Sequence, residues 1–276
     1  MFGIGGGFLM TPFLMLMGIP PAVAVSSSVT QMIGASFSGF LAHWRRANVD
    51  IKIGIFIILG GFVGSSLGVV LFASLKERGQ IDLAISLCYV IFLGAIGVLM
   101  AIESINAIIA KKKGVIKITE DKKNWLLELP LPFVIEFPRS NISVSAILPF
   151  AVGMFSGVLS SIMGIGGGFV LVPAMIYILG MPTSVVVGTS LFNTVFITAN
   201  VTILQALHTH TVDVVLAMLI LTSGVIGAQF GTRLSLKLPA EQLRALLAVM
   251  VLVVVIKLGL GLFITPEDLY SITAQE

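Results

Sequence analysis

The hexapeptide Gly164-Ile165-Gly166-Gly167-Gly168-Phe169 is a copy of Gly3-Ile4-Gly5-Gly6-Gly7-Phe8, and both copies sit inside strongly apolar sequence. Each glycine costs a helix interior about 1 kcal/mol against alanine, so three in succession predict that the backbone unwinds at both places. Hydrocarbon offers the freed N–H and C=O groups no partner. Unwound backbone at membrane depth is therefore confined to places buried in protein or lining a watery cavity, and a pair of breaks at matching positions of two halves points to a binding site.

Lipid as the solvent follows from composition. Of 276 residues, 57% are hydrophobic and 11% charged, with a mean hydropathy of +1.09, outside the range of soluble domains. The apolar runs are continuous and about twenty residues long, the length of a spanning helix, unlike the alternating segments of a transmembrane barrel. The fold class expected is an all-α polytopic membrane protein. The pI near 9.1 comes from Lys and Arg outside the runs and reports topology, so nucleic acid is not expected as a partner. Cys88 is the single cysteine and forms no intrachain disulfide. A cleavable signal peptide is not expected, because the first residues lack a basic n-region.

Residues 4–17 read as a short or broken helix around Pro12. Spans follow at residues 22–41, the most polar of the first half, at 51–74, and at 81–110. Gly60, Gly64 and Gly68 share one face of the second of these and predict close packing against a neighbour. Residues 111–142 read as a cytoplasmic linker, whose alternating Ile116, Ile118, Phe133, Ile135 and Phe137 allow a little extended structure. The second half reads as segments at 143–163, 165–179, 183–206, 212–235 and 243–263. The domains expected are a first transmembrane repeat at 1–110, the linker at 111–142, a second repeat at 143–265 and a tail at 266–276.

The halves align over about seventy residues with two single-residue insertions. Pro12 falls on Pro173, Gly18 on Gly180, Pro20 on Pro182, Ser28 on Ser190, Gln31 on Asn193 and Val49-Asp50 on Val212-Asp213. Gly61, Gly64 and Gly68 fall on Gly224, Gly227 and Gly231. The unit is about five helical segments, so the repeat expects a further helix ahead of Gly3, from upstream sequence, or a partner subunit in its place. If every segment crosses, one side collects thirteen of the sixteen cations: Arg45, Arg46, Lys52, the linker's six lysines, Arg139, Arg233, Lys237 and Arg244. That side is cytoplasmic by the positive-inside rule, and the two repeats are then inverted.

Short helices that begin at unwound glycines offer free N–H groups and a positive dipole end, whose natural ligand is an anion. The candidate substrate-binding residues are Gly5, Gly6, Gly7, Ser27, Ser28, Thr30 and Gln31 in the first half, and Gly166, Gly167, Gly168, Thr189, Ser190 and Asn193 in the second. Close helix packing is the competing use of the glycines, and helix-to-helix hydrogen bonding that of the polar side chains. A nucleotide loop is excluded by context, since no strand precedes the motif and no Gly-Lys-Ser/Thr follows it. No His-Glu-x-x-His and no pair of intramembrane carboxylates suggests an enzyme, and His208 and His210 make a poor metal set. Lys257 reads as a snorkelling lysine near the end of its span, and Glu103 as solvated at the cytoplasmic end of its helix. Neither metal nor cofactor is expected; a purely structural membrane protein is the alternative class.

With these features in place, the sequence resembles the TauE/SafE family of sulfite exporters, also called the toluene sulfonate uptake permease family. The resemblance is carried by Gly-Ile-Gly-Gly-Gly-Phe-x-x-x-Pro at residues 3–12 and 164–173 and by the polar stretches at 26–31 and 188–193. It covers nearly the whole chain outside the linker. It implies a multi-pass secondary transporter of the bacterial inner membrane that exports sulfite, sulfoacetate or another organosulfonate by alternating access. A permease or channel for another small organic anion is the alternative. The implied partners are the small anion and the lipid bilayer, with a homodimer left open.

Overall fold

A computed structural model of the chain describes residues 7–112, 134–140, 142–235 and 240–263. The expectations placed on Gly5, Gly6, Ile116, Ile118, Phe133, Lys237, the linker lysines from Lys113 onward and the tail at 266–276 lie outside these residues.

The described elements are α1 (Gly7–Leu16), α2 (Pro21–Arg45), α3 (Ile51–Glu77), α4 (Ile81–Lys112), β1 (Val134–Phe137), β2 (Ile142–Ser145), α5 (Ile147–Met163), α6 (Gly168–Tyr177), α7 (Thr183–His208), α8 (Val214–Ser235) and α9 (Ala240–Phe263). Local sequence explains most of the boundaries. Pro21 opens α2 at a position where the missing N–H costs nothing. Asp50 caps α3 by accepting the N–H groups of Lys52 and Ile53 at 3.1 and 3.3 Å, and Asp213 accepts the N–H of Leu216 at 2.9 Å as α8 begins. These two aspartates are aligned positions of the two halves. α2 runs past the expected end of its span to Arg45, whose charge is favourable in a last helical turn.

The all-α expectation needs one correction. β1 and β2 form an antiparallel hairpin in which Val134 pairs with Ser145 and Phe137 with Ile142. Residues 142–145 are drawn into this hairpin, so the span expected from residue 143 begins as a helix only at Ile147. Phe137 is fully buried and meets Phe56 edge-on at 6.2 Å between ring centroids. The hairpin is pinned to the α2–α3 turn by three hydrogen bonds. Lys52 Nζ donates to the Glu136 carbonyl at 2.8 Å, Arg139 Nε to the Ala47 carbonyl at 3.0 Å, and Ser140 Oγ to Asp50 Oδ2 at 2.5 Å.

The closest helix packing is between α3 and α5. A methyl group added at Gly60 or Gly64 would overlap the carbonyl oxygens of Phe150 and Met154, and one at Gly153 or Gly157 those of Ile57 and Gly61. The small-residue face read from Gly60, Gly64 and Gly68 therefore brings two backbones together, where dispersion and weak Cα–H···O contacts hold helices without a hydrophobic drive. Two other pairs pack antiparallel. Along α2 and α7, Ser26 meets Thr211 and Thr30 meets Thr202, while the Asp50 N–H that follows α2 meets Thr189. Along α4 and α9, Gly97 lies against Val251, Gly94 against Val255 and Val90 against Gly259.

Polarity is distributed as lipid requires. α3 turns Leu59, Phe62, Val63, Leu67, Val70 and Leu71 outward, while Ser26, Ser27, Ser28, Thr189, Ser190, Asn193, Thr198 and Gln205 are buried between helices. α3 and the Val185–His208 part of α7 are each long and apolar enough to cross a bilayer.

Candidate functional site

α5 ends at Met163, and the chain passes Gly164 (φ +70°), Ile165, Gly166 (φ +68°) and Gly167 (φ +75°) before α6 begins at Gly168. Left-handed backbone at three of four consecutive positions is what glycine permits and other residues resist. The Gly164 N–H donates to the Ser160 carbonyl at 2.9 Å, and the Gly167 carbonyl accepts from the N–H groups of Val170 and Leu171 and from Ser156 Oγ at 3.2 Å. Among the described residues, none of these bonds uses the N–H groups of Ile165, Gly166, Gly167 or Gly168. They form a run of donors at the positive end of α6.

The short helix of the first half, described from Gly7, lies at the same place. α1 runs from Gly7 to the neighbourhood of Ala24 and Ile220, where Leu14 packs. α6 runs the opposite way, toward a cluster where Met175, Leu179 and Met181 join Phe137 and Val144 of the hairpin. Between the two beginnings stands the thioether of Met32 on α2. A methyl added at Gly166 would lie 2.6 Å from Met32 Sδ, and one added at Gly7 would lie 2.8 Å from Met32 Cε. Thr198 of α7 completes the wall, its Cγ2 lying 3.0 Å from the same point at Gly166.

Buried hydroxyls border this spot. Ser28 and Ser36 lie one helical turn before and after Met32 on the same face of α2. Both are fully buried, and neither hydroxyl has a partner among the described residues. The hydroxyls of Ser27 and Ser160 are likewise buried and unpaired. On α7, Asn193 is fully buried with neither amide atom partnered. Each unsatisfied buried group costs about 1–3 kcal/mol, so a group of them marks a place where water or a ligand supplies the missing bonds.

The structure divides the sequence candidates. Gly7 and Gly166 come together at Met32, with Ser28 one turn away on α2, whereas Gly167 lies against Ser156 and Gly168 opens α6. Thr30, Thr189 and Ser190 are committed to helix contacts. Thr30 Oγ1 donates to the Ser26 carbonyl at 2.9 Å, Ser190 Oγ to that of Val187 at 2.9 Å, and Thr189 Oγ1 to that of Val185 at 2.8 Å while accepting the Asp50 N–H. Gln31 and Asn193 face different helices. Gln31 Nε2 lies against Gly224 of α8 and Asn193 Oδ1 against Gly54 of α3. Because Thr30 stands level with Thr202 in an antiparallel pair, Gln31 and Asn193 are separated by about eight residues of rise along α7, roughly 12 Å. Met32, Ser36, Ser156, Ser160 and Thr198 escape a motif-based reading. The four-residue spacing of Ser28, Met32 and Ser36 is the signal that identifies the first two.

A separate cavity of about 740 Å³ opens where α2, α4 and α8 begin and α3 ends, lined by Lys76, Asp82, His210, Thr211 and Asp213 among others. Its inner edge is a chain of hydroxyls: Thr211 Oγ1 lies 2.8 Å from Thr209 Oγ1 and 2.6 Å from Ser26 Oγ. Lys76 Nζ donates to the Thr209 carbonyl at 2.6 Å. This cavity lies at the Lys76 end, whereas the hairpin packs at the Arg45 end, where a smaller cavity of about 200 Å³ is lined by Trp44, Ala47, Val49 and Arg139. Lys257 is exposed on α9.

Across residues 1–258 the chain matches the family described as Sulfite exporter TauE/SafE. It is 26% identical over 263 residues to the probable membrane transporter protein YjnA of Bacillus subtilis (strain 168), an alignment covering 93% of this chain and 92% of that protein. It is 27% identical over 251 residues to a probable membrane transporter protein of Xylella fastidiosa (strain 9a5c), covering 88% and 81% of the two chains. No solved structure matches it. On this match, over helices that turn apolar side chains outward around a polar interior, the chain belongs to the TauE/SafE family of membrane transporters.

Proposed function

We propose that this chain is a secondary transporter that exports sulfite, sulfoacetate or another small organosulfonate across the bacterial inner membrane, by alternating access between two inverted repeats. The observation that carries the reading is the meeting of Gly7 of α1 and the beginning of α6 at Met32, beside N–H groups and buried hydroxyls that have no partner among the described residues. Two helix N-termini present about half a positive charge each to one point in a low-dielectric interior. A sulfonate or sulfite group carries several acceptor oxygens on one centre and fits such a surround of donors. Donors of this kind hold an anion without a fixed cationic side chain, which keeps release possible.

Inversion of the repeats is supported by helix directions. α2 aligns with α7 and α4 with α9, and each pair packs antiparallel. Two copies inserted the same way round would send their equivalent helices in the same direction through the bilayer. The Arg45 end carries Arg46, Lys52 and Arg139, and the Lys76 end carries Arg78. By the positive-inside rule the former faces the cytoplasm and the 740 Å³ cavity opens to the periplasm.

The test is thermal stabilisation of detergent-purified protein across sulfite, sulfate, sulfoacetate, taurine and acetate. A ligand at ten times its dissociation constant adds about 1.4 kcal/mol of stability. Stabilisation by sulfite or sulfoacetate at concentrations where acetate gives none is expected, followed by flux of the stabilising anion through proteoliposomes. Stabilisation by acetate alone would move the reading to another small organic anion, and no response to any member would overturn it.

A further inference from the structure

We propose that Met32 is the movable plug of the anion site and that the space its side chain vacates sets the size of anion admitted. This rests on the transport reading above. The argument begins with what Met32 occupies. Its Cγ, Sδ and Cε atoms lie along the wall formed by Gly7 and Gly166, one residue from each glycine motif. It is fully buried and fills the point on which the positive ends of α1 and α6 converge.

Its surroundings are wrong for a permanent apolar filler. Ser28 and Ser36, a turn away on either side, are fully buried, and neither hydroxyl has a partner among the described residues. The N–H groups of Ile165 to Gly168 make no hydrogen bond among the described residues. N–H and hydroxyl groups left without partners among the described residues around a thioether, itself a weak acceptor, describe a site from which a stronger acceptor has been displaced by a side chain. Methionine is the residue suited to alternate with a ligand, since its unbranched stem has three rotatable bonds and its sulfur packs against many shapes.

The second half supplies no such plug. With Gln31 aligned on Asn193, the position equivalent to Met32 is Thr194, whose hydroxyl donates to the Ser190 carbonyl at 2.8 Å. The obstruction is therefore one-sided, and one side chain controls the space between the two motifs.

The experiment uses the full chain in detergent and measures stabilisation by methanesulfonate, ethanesulfonate, propanesulfonate and butanesulfonate. The wild-type response is expected to fall off as the alkyl chain lengthens. Met32→Ala should extend the response to a chain longer than the wild type accepts, tightening its binding by about tenfold or more. Such a gain cannot come from misfolding; Met32→Val serves in its place should the alanine variant fail to elute as a single species. Met32→Phe should lose the response to every member while eluting as the wild type does. A wild type that responds to the series, with an unchanged size profile in the shortened and Phe variants, would overturn the assignment of Met32 and leave the transport reading standing. A wild type that responds to no sulfonate would overturn both.

Discussion

The backbone N–H of Asp50 donates to the hydroxyl of Thr189 at 2.9 Å, joining the α2–α3 turn of the first half to α7 of the second. The same aspartate caps α3 and accepts Ser140 of the hairpin. One buried residue, through its backbone N–H and its carboxylate, thus links both halves and the segment between them. At the opposite end the corresponding crossing is the hydroxyl pair of Ser26 and Thr211. If the two ends open in turn, the Asp50 end is the more firmly closed in this conformation.

Replacing Asp50 by Ala removes the α3 cap and the acceptor of Ser140 together, and should lower stability by about 2–3 kcal/mol. Ser140→Ala removes only the hairpin bond and should cost about 1 kcal/mol. Melting temperatures of the purified variants order the two effects. Equal losses would mean that the cap contributes nothing to the fold.

Asn193→Leu should leave folding nearly unchanged, because neither amide atom has a partner to lose among the described residues, while weakening the stabilisation produced by the transported anion. Gln31→Leu, on the far side of the α2–α7 pair, should reduce it. The comparison is anion-dependent melting of both variants beside the wild type, and an unaltered response in each would remove these amides from the site.

Gly64→Val places a side chain where even a methyl overlaps the Met154 carbonyl, and α3 cannot move away without leaving α5. Overpacking of this kind costs about 1–3 kcal/mol or more, and the yield of monodisperse protein should fall accordingly. Gly34→Ala is the contrast, since there the methyl would meet Cδ1 of Leu221 at 2.8 Å, a side-chain end that can rotate away. A loss as large at Gly34 as at Gly64 would show that backbone contact is not what matters.

Orientation is tested by single cysteines at Ser74 and Asn124 in a Cys88→Ala background. Ser74 is exposed in the last turns of α3, at the Lys76 end. An impermeant thiol reagent added to intact cells should label position 74 and spare position 124. The reverse pattern would turn the topology over.

Local features were legible without coordinates. The composition excludes a soluble fold, and the glycines at 164, 166 and 167 announce a break because no other residue tolerates their positive φ in succession. The spacing of Gly60, Gly64 and Gly68 identifies the face that packs, and Asp50 and Asp213 stand where helices begin. All of these act within a few residues, so the chain states them directly. Three other features belong to tertiary structure. Thr189 is occupied by Asp50, Gln31 and Asn193 face different helices, and Met32 fills the gap between the motifs. Each depends on which distant segment arrives opposite a given side chain, and that is set by the antiparallel crossing of α2 and α7 together with the close approach of α3 and α5. Repeat alignment pairs Gln31 with Asn193, but positions aligned in sequence need not meet in space. Gln31 turns to α8 and Asn193 to α3, so the side chain beside both Gly7 and Gly166 is Met32 rather than either of the aligned amides.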